Sequence, residues 1–394
     1  MNTTLYTPDK GPPERALVHP PTFAEFFAGI GLMRMGLEQQ GWQIAFANDI
    51  AEDKYAMYAD QFPDASQHFR LEDIHKLDPR DVPPVTLATA SFPCNDLSLA
   101  GARKGLGGKQ SSAYWGFVRM LDEMGKGRPP LVLLENVAGF LTSHGGRDFQ
   151  AALLALNRLG YAVDPLIIDA ARFVPQSRVR LFVVGRLDEG HGAWEMRETL
   201  RFYESDARPK PLADFIFTHP EIVWDIRPLP RLPDSAPSLE AIIECLPDDS
   251  PYWWSDDRRD YLLGQMSERH AKQLQRMKDG KKVSYGTVFR RVRKGRSMAE
   301  LRTDGVAGCL RTPRGGSGRQ ILVEAGFGQV RVRLLTPREC ARLMGADDFA
   351  INVNLNTALF GFGDAVCVPV IAWIAEHYLN PLLNEMQHAR GLAS

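Results

Sequence analysis

Two short motifs in this 394-residue chain could share one reaction. Ser91-Phe92-Pro93-Cys94 closes one apolar run, and Glu135-Asn136-Val137 closes another. Each run reads as a strand, so a thiol and a carboxyl group could meet at one edge of a sheet. That pair suits carbon methylation of a pyrimidine. C5 of cytosine is not nucleophilic until something adds at C6; a thiolate can add there while a carboxyl group at N3 takes up the electron density. Taken singly, each residue has a plainer reading. A free cysteine is most often an inert buried thiol, and a carboxylate after four apolar residues is most often a strand-end charge turned to solvent. Pro93 before Cys94 and Asn95-Asp96 after it argue for exposed, polar backbone around the thiol.

Other residues fit a cofactor and an acid-orienting group. Phe26-Phe27-Ala28-Gly29-Ile30-Gly31 ends the first strand-like run and opens a helix. Glycines there let a cofactor approach the backbone, although Arg34 stands where the third glycine of a dinucleotide fingerprint would be. Asp49 follows the second strand-like run, where a carboxylate could hold a ribose hydroxyl pair, and Asp73 could reach an adenine amino group or simply cap a helix. Gln176, Arg178 and Arg180 alternate, which puts them on one strand face. Two arginines on a buried face need partners, and Glu135, a carbonyl or a phosphate would serve.

Short apolar runs at 23–27, 43–48, 85–91, 131–135 and 181–185 read as strands; 31–40, 51–61, 111–124 and 147–159 read as helices. This alternation predicts an α/β fold with a mostly parallel, Rossmann-like sheet, whose chemistry sits beyond the carboxyl ends of the strands. Residues 1–20 read as a loose arm and 21–188 as the catalytic and cofactor-binding domain. After that the texture changes: 207–237 carries seven prolines, and an aromatic cluster, a helical stretch at 258–278 and a basic, glycine-rich segment follow. Residues 189–332 therefore read as a smaller domain. The α/β texture returns over 333–394, with Thr336 as N-cap, Pro337 at N1 and Glu339 at N3 of a helix to about 344, and a last helix at 368–378.

The formal net charge of −1 hides an asymmetry. Residues 267–333 hold 17 Lys+Arg against 5 Asp+Glu, which leaves the rest acidic. A basic binding surface grafted on an acidic enzyme body follows; a solvated basic loop region is the plainer alternative. Five scattered cysteines without a C-x-x-C pair argue against a disulfide framework and a zinc site. No apolar run reaches the ~20 residues of a membrane span. A cytoplasmic, metal-free protein is the expectation.

Together these motifs, in this order, resemble the cytosine-C5 DNA methyltransferase family over 22–186 and 333–378. The resemblance implies a cofactor, S-adenosylmethionine, held by Phe27, Ala28, Gly29, Ile30, Gly31, Asp49, Ile50, Asp73, Ile74, Pro93, Asp364 and Val366. It implies Cys94 as nucleophile, Glu135 as acid, and Arg178 and Arg180 as the basic pair that completes the site. The intervening segment is similar to a target-recognition domain for double-stranded DNA. Lys281, Lys282, Arg290 and Arg291 would then contact phosphates, and Arg311, Arg314, Arg319 or Gln320 would reach base edges. A monomer, with a restriction endonuclease or other defence protein as possible partner, is implied as well. Asn95 in place of Gln, Leu32 in place of Gly, Ile50 in place of an aromatic and Asp364 in place of Asn depart from the family pattern. Three other readings stand beside it: an RNA (tRNA) methyltransferase of the same fold, a silent nucleic-acid-binding module, and a nicotinamide-dependent oxidoreductase. The incomplete glycine fingerprint and the Pro-Cys loop disfavour the last.

Overall fold

Strand β1 (Thr22–Phe26) is buried along almost its whole length and is flanked by parallel strands on both sides, β2 (Gln43–Asp49) and β4 (Leu87–Ser91). The computed structural model describes residues 20–93, 112–187, 205–234, 238–293, 295–312 and 319–392. With β3 (Phe69–Leu71), β5 (Leu131–Val137), β6 (Tyr161–Asp169) and β7 (Val179–Leu187), these strands form one seven-stranded sheet in the order β3-β2-β1-β4-β5-β7-β6. Every pairing is parallel except those of β7, which runs antiparallel to β5 and β6. The mostly parallel sheet expected from the alternation is therefore the sheet formed.

Helices cover both faces. α1 (Leu32–Glu38), α2 (Glu52–Gln61) and the short α3 (Ala65–His68) connect β1, β2 and β3; α4 (Ser112–Glu123) and α5 (Arg147–Arg158) follow β4 and β5. One core holds Phe23, Leu87, Leu131 and Leu133 from the strands with Leu37 and the C-terminal helices. The other holds Phe26, Ala88, Val132 and Leu134 with Phe117, Phe149 and Leu153. Successive strand residues thus alternate between two dry layers, the pattern of a sheet covered on both sides.

Residues 205–243 were expected in the smaller domain, yet they pack on this sheet. Leu212, Phe215 and Ile216 of α6 (Lys210–Thr218) and Ile222, Trp224 and Ile226 enter the second core, and Leu232, Leu239 and Ile242 enter the first. Each buried apolar side chain contributes about 1.5–3 kcal/mol, so this Pro-rich stretch is a structural belt around the catalytic body. Asp164, fully buried on β6, anchors it: it accepts from Arg208 Nε at 3.0 Å and Nη2 at 2.6 Å, from the Arg227 N–H at 3.0 Å and from Tyr378 Oη at 2.9 Å.

A second, smaller core begins near Trp254. It joins α7 (Asp256–Leu263) and α8 (Glu268–Lys278) to an antiparallel sheet of β8 (Ser284–Arg293), β9 (Arg296–Arg302), β10 (Ile321–Gly326) and β11 (Gln329–Leu334), ordered β11-β10-β8-β9. The single helix expected at 258–278 is two helices, because α7 ends at Gly264.

The chain then returns to the large sheet. α9 (Pro337–Leu343) carries the expected capping box between Thr336 and Glu339. α10 (Leu355–Asp364), α11 (Val368–Ile374) and α12 (Asn380–Leu392) complete the body, and a π-helical turn at Ala375–Leu379 carries the last expected helix onward. A Cβ at Gly36 would lie 2.6 Å from Ile371 Cβ, which is how closely α1 meets α11. By length and composition Leu355–His388 is apolar enough to cross a membrane, but 72% of its most apolar window is buried inside the protein.

Replacing Arg208 by Met would leave the Asp164 carboxylate buried without its cation. A loss of about 3–5 kcal/mol is expected, read as a lower denaturation midpoint. Adding Asp164→Asn should recover part of it, and a double variant less stable than Arg208→Met alone would contradict the account.

Candidate active site

The loop after β1 is built for close approach. Phe27, Gly29 and Gly31 all have positive φ, at 57°, 57° and 85°. A non-glycine residue in that region costs about 1–3 kcal/mol and is retained where the surroundings fix it. The two glycines serve different ends. A Cβ at Gly31 would lie 2.4 Å from the Phe62 ring, so packing forbids one, whereas a Cβ at Gly29 would meet nothing within 4 Å. Open space above Gly29 is what a cofactor pressed on the backbone requires. Ala28, Ile30, Ile74 and Val366 turn their side chains into the core, so they can offer a ligand only main chain.

Asp49 stands at the end of β2 and braces that loop. Its Oδ2 accepts from the Gly29 N–H at 2.8 Å and its Oδ1 from the Ala51 N–H at 2.9 Å. Each oxygen keeps a second lone pair, so a ribose hydroxyl pair can still be accommodated. Next to it Ile50 is 67% exposed, an apolar platform beside the carboxylate. Asp73 accepts the His75 N–H at 3.0 Å, the turn-capping contact that its sequence position suggested. Asp364, at the end of α10, pairs with Lys54 Nζ of α2 at 3.1 Å and accepts from Thr312 Oγ1. The residues present fit an adenosyl cofactor: open backbone at Gly29, an exposed apolar side chain at Ile50 and the Asp49 carboxylate at the end of β2.

Arg34 explains the missing third glycine. It is 6% exposed and donates to Glu38 at 2.7 Å and to both oxygens of Asp64 at 3.0 and 2.9 Å. Its guanidinium also lies over the Phe62 ring at 4.0 Å. The position fastens α1 to α2 and α3 beneath the loop.

The strand ends that carry the expected nucleophile and acid are neighbours. Ser91 on β4 is the register partner of Glu135 on β5. Asn136 Nδ2 donates to the Phe92 carbonyl at 3.0 Å, fixing the backbone that leads into Pro93. Pro93 is exposed; Cys94 lies outside the described residues, as does Arg314. Glu135 is 6% exposed, and its Oε1 pairs with Arg180 Nε at 3.0 Å.

Arg178 does something else than expected. Only Arg180 belongs to β7; Gln176 and Arg178 precede it. The Arg178 guanidinium is buried and donates to the carbonyls of Leu310 at 3.0 Å, Gly363 at 3.2 Å and Ala365 at 2.5 Å, with Cys309 Sγ at 3.5 Å from Nη1. Burial and the charge of Arg180 push it below the usual guanidinium range. Gln176, fully buried, accepts the Leu310 N–H at 2.9 Å and donates to the Leu343 carbonyl at 2.7 Å. The two form a clamp across three chain segments, and Arg180 alone meets the acid.

Cys309 was not singled out in the sequence, where nothing but its type marks it. Burial alone would raise its thiol, but Arg178, Arg180 and Arg311 outweigh that and hold it below the ordinary cysteine range. Among the expected DNA contacts, Lys281, Lys282, Arg291 and Arg311 are exposed, and Arg290 is half-buried on β8. Arg291 pairs with Glu300 at 3.5 Å, and Arg311 lies over the Phe289 ring at 5.6 Å. Arg319 donates to Asn356 Oδ1 at 2.6 Å. Gln320 is 4% exposed, not at the surface as a base reader would be, and its amide donates to the Cys309 carbonyl at 3.4 Å.

The model of the C-5 cytosine-specific DNA methylase family matches residues 21–380. Type II methyltransferase M.DsaV of Dactylococcopsis salina is 30% identical, over 93% of this chain and 88% of its own. The DNA-cytosine methyltransferase of Escherichia coli strain K12 is 29% identical, over 93% of this chain and 81% of its own. Among solved structures, the Dnmt2 methyltransferase of S. pombe shares the fold, with a TM-score of 0.60 at 18% identity, covering 92% of this chain and 99% of that one.

The two arginines should separate in experiment. Arg178→Met strands several buried carbonyls and is expected to cost about 3 kcal/mol or more of stability. Arg180→Met leaves the largely buried Glu135 without its cation, so it is expected to cost about 3 kcal/mol as well, but it alone is expected to remove methyl transfer from the folded protein. Denaturation midpoints and single-turnover rates check this; full activity in folded Arg180→Met would refute the division.

Proposed function

We propose, for a chain that belongs to the C-5 cytosine-specific DNA methylase family and is a DNA cytosine-5 methyltransferase, that methyl transfer runs through a covalent Cys94 adduct at C6 of a flipped cytosine. The observation that carries the reading is the register of Ser91 with Glu135. It sets the backbone leading to Cys94 beside the one carboxyl group paired with Arg180, and Asn136 holds that backbone in place.

C6 must be approached perpendicular to the ring, which the stack of a duplex prevents, so the base is drawn out. The Cys94 thiolate adds to C6. Glu135, carrying a proton, donates to N3 and stabilises the charge that develops there, while Arg180 fixes the carboxyl group and reaches O2. C5 becomes enamine-like and nucleophilic. S-adenosylmethionine, when bound, supplies an electrophilic methyl group for that carbon. Phe27, Gly29, Asp49, Ile50, Asp73, Pro93 and Asp364 would hold it, joined by the main chain at Ala28, Ile30, Gly31, Ile74 and Val366. A base, for which water would serve, takes the C5 proton, Cys94 leaves by elimination, and N3 returns its proton to Glu135.

The basic unit would meet double-stranded DNA. Exposed Lys281, Lys282 and Arg291 supply phosphate contacts, which makes affinity strongly salt-dependent, and exposed Arg311 would reach a base edge. The type II names of several relatives support a role in restriction-modification, with a cognate endonuclease supplied by another chain.

Tritium transfer from labelled S-adenosylmethionine to unmethylated DNA and to tRNA, followed by bisulfite sequencing, tests the reading. Label at C5 of cytosine within one short DNA sequence is expected; label in tRNA alone would overturn it. Cys94→Ser is expected to abolish transfer. Glu135→Gln is expected to slow it by about 10²-fold or more while cofactor binding is kept. Normal turnover by Cys94→Ser would remove the covalent step.

A further inference from the structure

Among the twelve buried side-chain polar atoms without a hydrogen-bond partner in the described residues, three belong to neighbouring positions of the large sheet: Glu25 Oε2, Thr89 Oγ1 and Ser91 Oγ. Glu25 is 2% exposed and Thr89 0%. They form a row. Glu25 on β1 is the register partner of Thr89 on β4, and Ser91, two residues further along β4, is the register partner of Glu135 on β5. In-register side chains and those two apart on one strand stand on the same face. The row therefore crosses three adjacent strands and ends at the acid of the proposed reaction. Thr89 and Ser91 stand two residues apart on one strand, about 6.6 Å, too far for their hydroxyls to bond directly and suited to bridging by internal water. Buried polar groups are nearly always paired, so three orphans in line with a catalytic carboxyl group call for a role.

We propose that Glu25, Thr89 and Ser91 form an internal proton-transfer row that supplies Glu135 with its proton when that carboxyl group is ionised, an inference that rests on reading Glu135 as the acid at N3. Glu135 is ion-paired with Arg180 and largely shut from solvent, while its work at N3 calls for a proton. The O–H bond of the Glu25 carboxyl breaks, and its proton passes to water or Thr89. Each hydroxyl receives one proton and hands on its own, and the last arrives at Glu135. The net change is one carboxylic acid and one carboxylate exchanging places, with no electron gained or lost. The groups that face Glu25 are Arg34 and Glu38 from α1, Asp49 from β2 and Tyr58 from α2, and Arg34 offsets the negative charge left behind. Burial, reinforced by Glu38 and Asp49, outweighs Arg34 and holds the Glu25 carboxyl well above the usual carboxylate range, so it keeps a proton to give.

Thr89→Val and Ser91→Ala remove hydroxyls and little else. Melting temperature, S-adenosylhomocysteine affinity by calorimetry, and the single-turnover methylation rate from pH 6 to 9 would be measured on each, with Thr89→Ser as the conservative control and Glu135→Gln as reference. The expected result is unchanged melting and affinity, a rate lowered by about tenfold or more at high pH, a deficit that narrows at low pH, and recovery in Thr89→Ser. An unchanged rate and pH profile in Thr89→Val, with Glu135→Gln impaired, would overturn the row and leave the acid assignment standing. A fall in S-adenosylhomocysteine affinity that accounts for the rate would also overturn it, assigning the row to cofactor binding. Full activity in Glu135→Gln would instead sink the reading of the site itself.

Discussion

A buried guanidinium without a carboxylate partner holds this enzyme together. Arg178 is 2% exposed and spends its two Nη groups on the carbonyls of Leu310, Gly363 and Ala365. Desolvating such a cation costs several kcal/mol unless its donors are satisfied. Only Nε is left without a partner. The clamp therefore forms only when the run-up to β7, the segment that follows β9 in the small unit and the C-terminal end of α10 are all in place. Gln176 extends it to Leu343. The catalytic body is built from two stretches of chain separated by the small unit, and this is where they are joined. Two residues beyond Arg178, the alternation of β7 then delivers Arg180 to Glu135.

The small unit hangs on a similar device. Arg333, fully buried, pairs with Glu339 at 2.6 Å and lies over the Trp253 ring at 5.2 Å. Glu339 also closes the capping box of α9 and accepts the Glu244 N–H at 2.9 Å. One carboxylate thus fixes the exit of β11, the entry of α9 and the end of the Pro-rich belt. The small core has few large apolar side chains, so its orientation depends on such polar anchors. Its sheet can then present exposed cations without needing them for cohesion.

The sequence made the fold class legible because a doubly covered sheet writes itself as apolar runs alternating with helical periods. What it hid has identifiable causes. β6 was missed because Pro165 sits in its middle; the strand is at the sheet edge, where a missing N–H costs no ladder bond. The belt at 205–243 was missed because prolines mask burial that only tertiary contacts reveal. Ser91 and Glu135 stand side by side near the ends of their strands, but the partners of Arg178 and Arg180 could not be told apart by alternation. Both face inward, and which one meets Glu135 depends on where β7 begins. Gln320 misled because a polar residue beside a glycine-rich loop reads as exposed, whereas here it fills space against Gly308 and the Cys309 carbonyl.

Glu25 is the residue whose meaning changes most between sequence and structure. As a letter inside an apolar run it suggests nothing. As a buried carboxyl group beside Asp49 and Arg34 it creates two electrostatic settings on one sheet face. Asp49 accepts main-chain N–H groups on both oxygens, and Glu135 pairs with a guanidinium. Glu25 has neither provision on Oε2, and burial, which outweighs the nearby Arg34, holds it well above the usual carboxylate range. Carboxyl groups of one type placed in such different surroundings divide the work of holding charge and holding protons. Here Asp49 braces the loop after β1, Glu135 is held by Arg180, and Glu25 sits behind them as the proposed proton store.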